Sequence, residues 1–274
     1  MPSTNTSAQA PSGLPILSIE GLEKVFPSAD GDVHALENIN LEVRKGEFVC
    51  LLGASGCGKS TLLRIVGGFE NPSDGSAKIY GTPIESPGPD RGVVFQDYAL
   101  FPWLTVAENI SFGPKHRGLA KSEIKETSQK YMQMVGLTQF AGKYPNTLSG
   151  GMKQRVAIAR VLANDAEILL MDEPFAALDA LTRAKLQEEL LEIWERTNLT
   201  VIFVTHSVEE AVILSDRIVV MGAGPGHIES DISLNLPRPR DPSSIEFNDL
   251  RRDVSNQLRR HIAAAPKVRD AIDA

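Results

Sequence analysis

The sequence predicts an α/β fold: a mostly parallel sheet, preceded by an antiparallel β segment and interrupted by an inserted α-helical subdomain. Three observations carry this prediction. The apolar run Phe48-Val49-Cys50-Leu51-Leu52 passes through a glycine-rich loop into a helical pattern from Ser60 to Val66. A second apolar run, Ile168-Leu169-Leu170-Met171, ends in Asp172-Glu173. Beyond residue 167 strand-length apolar runs alternate with a helical stripe, the pattern of parallel strands covered on both faces.

Residues 1–14 are rich in Ser, Thr, Ala and Pro, with no basic start and no apolar centre, so they read as a disordered tail rather than a secretory signal. From 16 to 45 the chain is β-rich. Ile16–Ile19 is one short strand, and Asn38–Val43 alternates polar and apolar as a half-buried strand does. Between them Pro27–Asp32 has the residues of a hairpin tip.

The middle, about 97–160, has helical spacing and is expected to break at Gly113-Pro114 and Tyr144-Pro145. After the strand at 168, Leu186, Leu190, Ile193 and Trp194 form one helix stripe opposite Glu188, Glu189, Glu192 and Glu195. Val201–Val204 and Ile218–Met221 are further strands. Pro237-Arg238-Pro239-Arg240 ends the pattern, and Phe247, Leu250, Val254, Leu258 and Ile262 then mark an amphipathic helix. That helix packs on its own domain or offers a face to a partner or membrane surface.

Composition narrows the function. The 274 residues are 42% hydrophobic and 23% charged, a globular balance with enough apolar content for a sizeable core. A net charge of −7 argues against general nucleic-acid binding. No apolar run approaches the roughly 18–20 residues that span a bilayer. The two cysteines, Cys50 and Cys57, make no disulfide framework and fit a cytosolic chain. The five histidines lack metal-ligand spacing.

Gly53-Ala54-Ser55-Gly56-Cys57-Gly58-Lys59-Ser60-Thr61 matches G-x-x-x-x-G-K-[ST] between a strand and a helix. Glycines let successive N–H groups converge on an anion, and the helix start adds its dipole. Lys59 can reach β- and γ-phosphates, and Ser60 offers its hydroxyl to Mg2+. Cys57, near Lys59 and a helix start, is either a favoured thiolate or a small residue that fits the loop. Where the strand ends and the chain turns at Pro174, Asp172 is placed to hold Mg2+ through water. Glu173 is placed to orient and deprotonate a water attacking the γ-phosphate.

Leu148-Ser149-Gly150-Gly151-Met152-Lys153-Gln154-Arg155 opens a second anion-binding helix start. One nucleotide cannot occupy two such sites far apart in one chain, but two chains packed head to tail can each supply half. This segment resembles the signature motif of ABC-type ATPases. Gln96 in Val94-Phe95-Gln96 then looks like the Q-loop, Ala176-Ala177-Leu178-Asp179 like the D-loop, and His206 after Val204-Thr205 like the switch histidine.

The resemblance covers roughly residues 16–237. It implies a P-loop NTPase core of ABC type over 15–237, with the insertion at about 97–160 and a C-terminal helical tail over 238–274. It also implies that Phe26 stacks on adenine, that Gln96 joins Ser60 and Asp172 around Mg2+, and that Ser149, Gly150, Gly151 and Asp179 reach ATP bound by a second chain. His206 would hydrogen-bond the γ-phosphate and the attacking water. Met152 stands where many members have Gln, and Ser207 where Asp is common; neither is expected to touch the groups that bond phosphate, so activity should survive.

Relatives of other kinds fit less well. Only 53 positions separate Gln96 from Ser149, too few for the coiled coil of chromosome-maintenance ATPases, and there is one motif set where translation-factor relatives have two. A P-loop kinase lacks the Ser-Gly-Gly helix start. Phe95-Gln96-Asp97-Tyr98-Ala99-Leu100-Phe101-Pro102-Trp103-Leu104-Thr105 resembles the nitrate, sulfonate and taurine import group, as do the segments 175–183, 225–228 and 236–240.

The expectation is therefore an ATP-hydrolysing motor: a homodimer on the cytoplasmic face of the inner membrane, bound to integral membrane permease subunits. A periplasmic or lipid-anchored solute-binding protein would serve it indirectly, with ATP and Mg2+ in the site and no nucleic acid. The alternative is a soluble ATPase of the same type with a non-transport partner. Leu100, Phe101, Pro102, Trp103 and Leu104 either line the groove that receives a permease helix or pack within the insertion. The motor does not touch its cargo, so the motifs leave nitrate, sulfonates, taurine and heterocyclic vitamin precursors open.

Overall fold

The structure, a computed structural model, describes residues 15–264 except 30 and 177. The tail expected over 1–14 and the last ten positions lie outside the described residues.

The antiparallel segment forms as expected and gains two strands. β1 (Leu17–Phe26) and β2 (Val33–Val43) pair from Leu17↔Val43 to Phe26↔Val33, so the turn lies between 26 and 33. The free edge of β1 pairs antiparallel with a later strand, Asp74–Ile79 (called β4 because β3 precedes it), which in turn pairs with β5 (Thr82–Pro83). This addition was not legible in the sequence, because Asp74-Gly75-Ser76 carries no apolar alternation. Gly75 is needed there: at φ +73°, a Cβ would lie 2.2 Å from the Gly21 carbonyl oxygen of β1.

The main sheet contains β3 (Phe48–Gly53), β6 (Arg91–Val94), β7 (Ile168–Asp172), β8 (Thr200–Thr205), β9 (Arg217–Gly222) and β10 (His227–Ser233). Their order is β10-β9-β3-β8-β7-β6. Every pairing is parallel except β9–β10, a hairpin at one edge. Alternation along β3 divides two cores. Phe48, Cys50 and Leu52 face one, Val49 and Leu51 the other, all five essentially inaccessible to solvent. The second core packs α1 (Lys59–Val66) between the main sheet and the antiparallel sheet.

The first core takes the remaining helices. The insertion supplies α2 (Val106–His116), α3 (Lys121–Met134) and α4 (Gly150–Ala163). Then come α5 (Ala180–Thr197), α6 (Val208–Leu214) and α7 (Ile245–Ala264). Leu186, Leu190 and Ile193 of α5 are buried, and Trp194 meets Phe48 edge-on at 5.9 Å.

One expected break is corrected. Gly113-Pro114 does not end α2, which continues to His116 and closes through Arg117 N–H donating to the Gly113 carbonyl at 3.0 Å. Proline forfeits one ladder bond near the helix end, where little remains to be lost. Gly113 serves packing: a Cβ there would lie 2.5 Å from Asn164 Oδ1 at the end of α4. Tyr144-Pro145 falls in the non-helical stretch between α3, which has already ended at Met134, and α4, with a short 3-10 turn over Pro145–Thr147.

The segment after 237 packs on the first core rather than standing apart. Arg238 and Arg240 donate to the Leu214, Val212 and Ser215 carbonyls at the end of α6, where a helix terminus favours cations. Burial lowers the Arg240 pKa to about 10, with Arg238 adding to the shift. Phe247 and Val254 of α7 are buried, with Leu250 and Leu258 beside them. Ile262, the last position of the expected stripe, has no described side chain. We expect Phe247→Ala to cost about 3–5 kcal/mol, as loss of a fully buried aromatic ring does. A fall in the guanidinium unfolding midpoint at unchanged slope would register it.

Candidate active site

The loop from Gly53 to Lys59 is shaped by close backbone approaches. Gly56 and Gly58 take φ +82° and +88°, the left-handed region open to glycine. A Cβ on Gly58 would lie 2.5 Å from a Leu36 methyl and 2.8 Å from the Ala35 carbonyl oxygen. One on Gly226 would lie 2.3 Å from the Cys57 carbonyl oxygen. The loop is thus clasped between β2 and the β9–β10 hairpin, which bond each other through Gly226 N–H to Ala35 O and Glu37 N–H to Gly226 O. Cys57 is buried, with Sγ against Gly53, so its side chain fills the loop interior.

Lys59 is 5% exposed. Its ammonium donates to the Gly53 and Ala54 carbonyls, both at 2.8 Å, and lies 3.7 Å from Cys57 Sγ. A cleft of about 520 Å3 opens over the loop at Ser55, Gly56, Gly58, Lys59, Ser60 and Thr61, with Glu173 at one side. Its opposite wall is Val33, His34 and Ala35 of β2 with Gly224-Pro225-Gly226. Motif reading missed this wall. The Pro225-Gly226-His227-Ile228 segment was in view as a family likeness, but its position against residue 57 depends on sheet closure.

The two carboxylates meet the cleft by different routes. Asp172 ends β7 and accepts from Ser60 Oγ at 2.9 Å. Burial raises its pKa, nearby Glu173 adds to the shift, and the Ser60 hydroxyl opposes it. Glu173 takes φ +44°, a left-handed turn uncommon for a side chain of this size. The turn therefore lies at Glu173 itself, one residue before the Pro174 expected from sequence. Its N–H donates to the Val204 carbonyl, and its Oε2 lies 3.1 Å from His206 Nδ1. This left-handed backbone aims the Glu173 carboxyl where a regular strand would turn it aside.

Other expected site residues lie outside the cleft lining. Phe26 sits at the hairpin end paired with Val33, which does line it; Lys24 Nζ is 4.8 Å from the Phe26 ring centre. Gln96 is exposed just beyond β6. Ser149 is exposed and caps α4, accepting from Met152 N–H at 3.3 Å. Gly150 lets Tyr98 Oη and a Leu178 methyl come within 3.1 and 3.2 Å of where its Cβ would be. Asp179 caps α5 by accepting from Thr182 N–H at 3.0 Å, which lowers its pKa. The motifs therefore form two groups: the 53–61 loop and Glu173 at the cleft, with Asp172 bonded to Ser60 and His206 to Glu173, and 149–151 beside Leu178 elsewhere on the surface.

The 100–104 segment is held rather than loose. The buried Asn109 side chain accepts from Phe101 N–H and donates to the Phe101, Leu104 and Thr105 carbonyls. Arg160 bonds the Tyr98 and Ala99 carbonyls just before it. Trp103 is left 70% exposed beside Phe101 at 5.7 Å, and the Phe101 ring packs tilted against Phe112 at 4.5 Å. Phe112, 43% exposed, extends this aromatic surface and carried no motif signal.

Comparison with known proteins identifies the family. The ABC transporter family model matches residues 36–176. The nitrate import ATP-binding protein NrtD of Synechocystis sp. is 49% identical over 255 residues, covering 89% of this chain and 95% of that protein. The bicarbonate transport ATP-binding protein CmpD of the same organism is 48% identical over 248 residues, covering 89% and 87%. Among solved structures, a dimeric post-hydrolysis state of the ATP-binding cassette MJ0796 bound to ADP and Pi superposes with a TM-score of 0.70 at 34% identity, covering 81% of this chain and all of that one. The cbiO1 protein of Clostridium perfringens, part of the ABC transporter complex cbiONQ, gives 0.74 at 29%, covering 90% and 97%.

The raised Asp172 pKa has a measurable consequence. The folded state holds this proton more tightly than the unfolded chain, so the charged form costs stability above the folded-state pKa. That cost disappears below the unfolded carboxylate value of about 3.9. Nucleotide-free Asp172→Asn protein is expected to melt above the wild type at pH 7, with the difference shrinking as pH falls. Calorimetry across that range checks it; an equal or lower melting temperature at pH 7 counts against the assignment.

Proposed function

The chain belongs to the ABC transporter ATP-binding family and is an ATP-binding ATPase of that family, its hydrolysis coupled to transport; from that premise we propose that it drives an importer of a small anionic solute, of the nitrate or bicarbonate kind. Near-full-length identity of about half with two proteins named for those anions supports the reading. In this role the chain is a peripheral subunit on the cytoplasmic face of the membrane, working as a homodimer against integral permease subunits that receive solute from a separate binding protein. No described helix is long and apolar enough to cross a membrane, so the spanning parts belong to other chains in this reading.

Each protomer binds the ATP phosphates with the Gly53–Thr61 loop, whose N–H groups and Lys59 surround the β- and γ-phosphates. Ser60 and Asp172 fit a hard cation: two oxygen donors 2.9 Å apart, one a carboxylate held in a desolvated position. With Gln96 they would hold Mg2+, which when bound neutralises phosphate charge and polarises the γ-phosphoryl group. Glu173 orients the attacking water and takes its proton, and His206, bonded to Glu173, contacts the water and the γ-phosphate. Phe26 stacks on the adenine at the outer end of the cleft.

The second protomer closes head to tail and presents Ser149, Gly150 and Gly151 to the γ-phosphate, with Asp179 at the junction. Exposure of Ser149 away from its own chain's cleft supports this division. Closure completes the donor cage around transition-state charge, and hydrolysis releases the shared contact. The fixed aromatic surface around Trp103 supports permease docking at 100–104.

Glu173→Gln is expected to lower turnover by about 10^2–10^4-fold, the usual contribution of a general base, while leaving a closed ATP-bound dimer. Lys59→Ala should instead weaken nucleotide binding. Single-turnover kinetics with size-exclusion chromatography separates the two, and full turnover by the Glu173 variant would remove it as the base. Replacing Trp103 and Leu104 with polar residues should detach the chain from its permease in detergent extracts while its own ATPase activity survives; unchanged co-purification would contradict the docking surface.

A further inference from the structure

Behind Glu173 and His206 lies a second polar cluster that the steps above leave without a role. Ser207 caps α6 and accepts from Glu210 N–H at 3.3 Å, one half of a capping box. The other half is not made. The Glu210 carboxylate does not return to the Ser207 N–H; its Oε2 accepts from Thr205 Oγ1 at 2.6 Å, and Thr205 Oγ1 accepts from Ser207 N–H at 3.0 Å. A carboxylate that could serve as an ordinary cap is thus bonded to the residue before His206.

Glu210 is only 7% exposed. Burial raises its pKa, while Thr205, Arg183 and His206 favour its ionised form. Its second oxygen faces Arg183 Nε at 3.8 Å, an ion pair too long for a hydrogen bond, and that buried Nε has no hydrogen-bond partner among the described residues. Arg183 also donates through Nη2 to the Leu178 carbonyl at 2.9 Å, and its N–H bonds the Asp179 carbonyl at 2.9 Å. Glu173, Arg183, Thr205, His206 and Glu210 enclose a cavity of about 50 Å3. Leu178 in turn touches the helix start at Gly150.

We infer that Glu210 and Arg183 are positioning residues for ATP hydrolysis: they lock the Thr205–Ser207 backbone so that His206 faces Glu173, and tie that geometry to the 178–179 turn at the protomer junction. The inference rests on the proposed head-to-tail site. The long Arg183–Glu210 pair is the movable joint. A displacement of the turn by under about 1 Å brings Nε into hydrogen-bond range, where a charged bond in a buried site is strong. Closure of the partner is then felt at His206 through one chain of contacts.

The test is steady-state ATPase kinetics, nucleotide affinity and melting temperature of the full chain. The variants are Glu210→Gln, Glu210→Ala, Arg183→Lys, Arg183→Ala and the double alanine form. Glu210→Ala and Arg183→Ala should each lower kcat about tenfold or more with KM for ATP and melting temperature nearly unchanged. Glu210→Gln, which keeps an acceptor for Thr205, and Arg183→Lys should recover part of the loss. The double variant should be little worse than either single one. Unchanged kcat, parallel losses in kcat, KM and melting temperature, or multiplied effects in the double variant would each overturn the inference. If Glu210→Ala does not fold, the near-isosteric Glu210→Gln decides by the same split of kcat against KM. A wild-type enzyme that needs Glu173 but is indifferent to Glu210 refutes only this inference; one indifferent to Glu173 refutes the proposed site itself.

Discussion

The arrangement turns on a buried ammonium to which, among the described residues, no carboxylate is hydrogen-bonded. Lys59 is nearly inaccessible, and its ammonium bonds two carbonyl oxygens and meets a thiol rather than a carboxylate. A cation in that position is costly unless an anion answers it. The converging N–H groups of the loop and the helix start next to it add to the same positive field. The site therefore favours a polyanion, and the surrounding fold can be understood as what keeps the loop in that shape.

That shape depends on backbone contact at van der Waals distance. Gly58 lies against Ala35 and Leu36 of β2, and Gly226 of the β9–β10 hairpin lies against the Cys57 carbonyl. Any side chain at these positions would push the loop away from its clasp. The two-sided core of the main sheet holds the frame behind it, with β3 at the centre between β8 and β9. Asp172, Glu173 and His206 come from the ends of the adjacent strands β7 and β8. Their mutual placement is thus set by sheet register rather than by loop conformation. Rigid strands are well suited to hold groups that must act within a few tenths of an ångström.

The same frame separates the second group of motifs. The α4 start at Ser149 faces solvent beside Leu178 and Tyr98, whereas the loop at 53–61 faces its own cleft. In the proposed head-to-tail dimer, a site divided in this way would make activity depend on association. It also gives the contacts joining 178–179 to 205–210 a reason to exist. The buried Glu210 carboxylate would otherwise carry desolvation cost for no more than its bond from Thr205.

Much of this was legible in the residues, and the limits are physical. The phosphate loop, the acidic strand end, the helix start at Ser149 and the alternating order of strands and helices are local. Each is set by spacing, propensity and hydrogen bonds within a few positions, so a linear reading finds them. What tertiary structure decided involves groups far apart in the chain. Ser60 meets Asp172, Arg183 approaches Glu210 across two elements, and Gly226 closes on Cys57. The strand at 74–79 had no apolar signature because β1 recruits it through backbone pairing. Pro114 remained within its helix because, two residues from the end, it forfeits little of the ladder. Local periodicity specifies elements; only the packing of those elements specifies which backbones touch, and in this protein those contacts shape the nucleotide cleft.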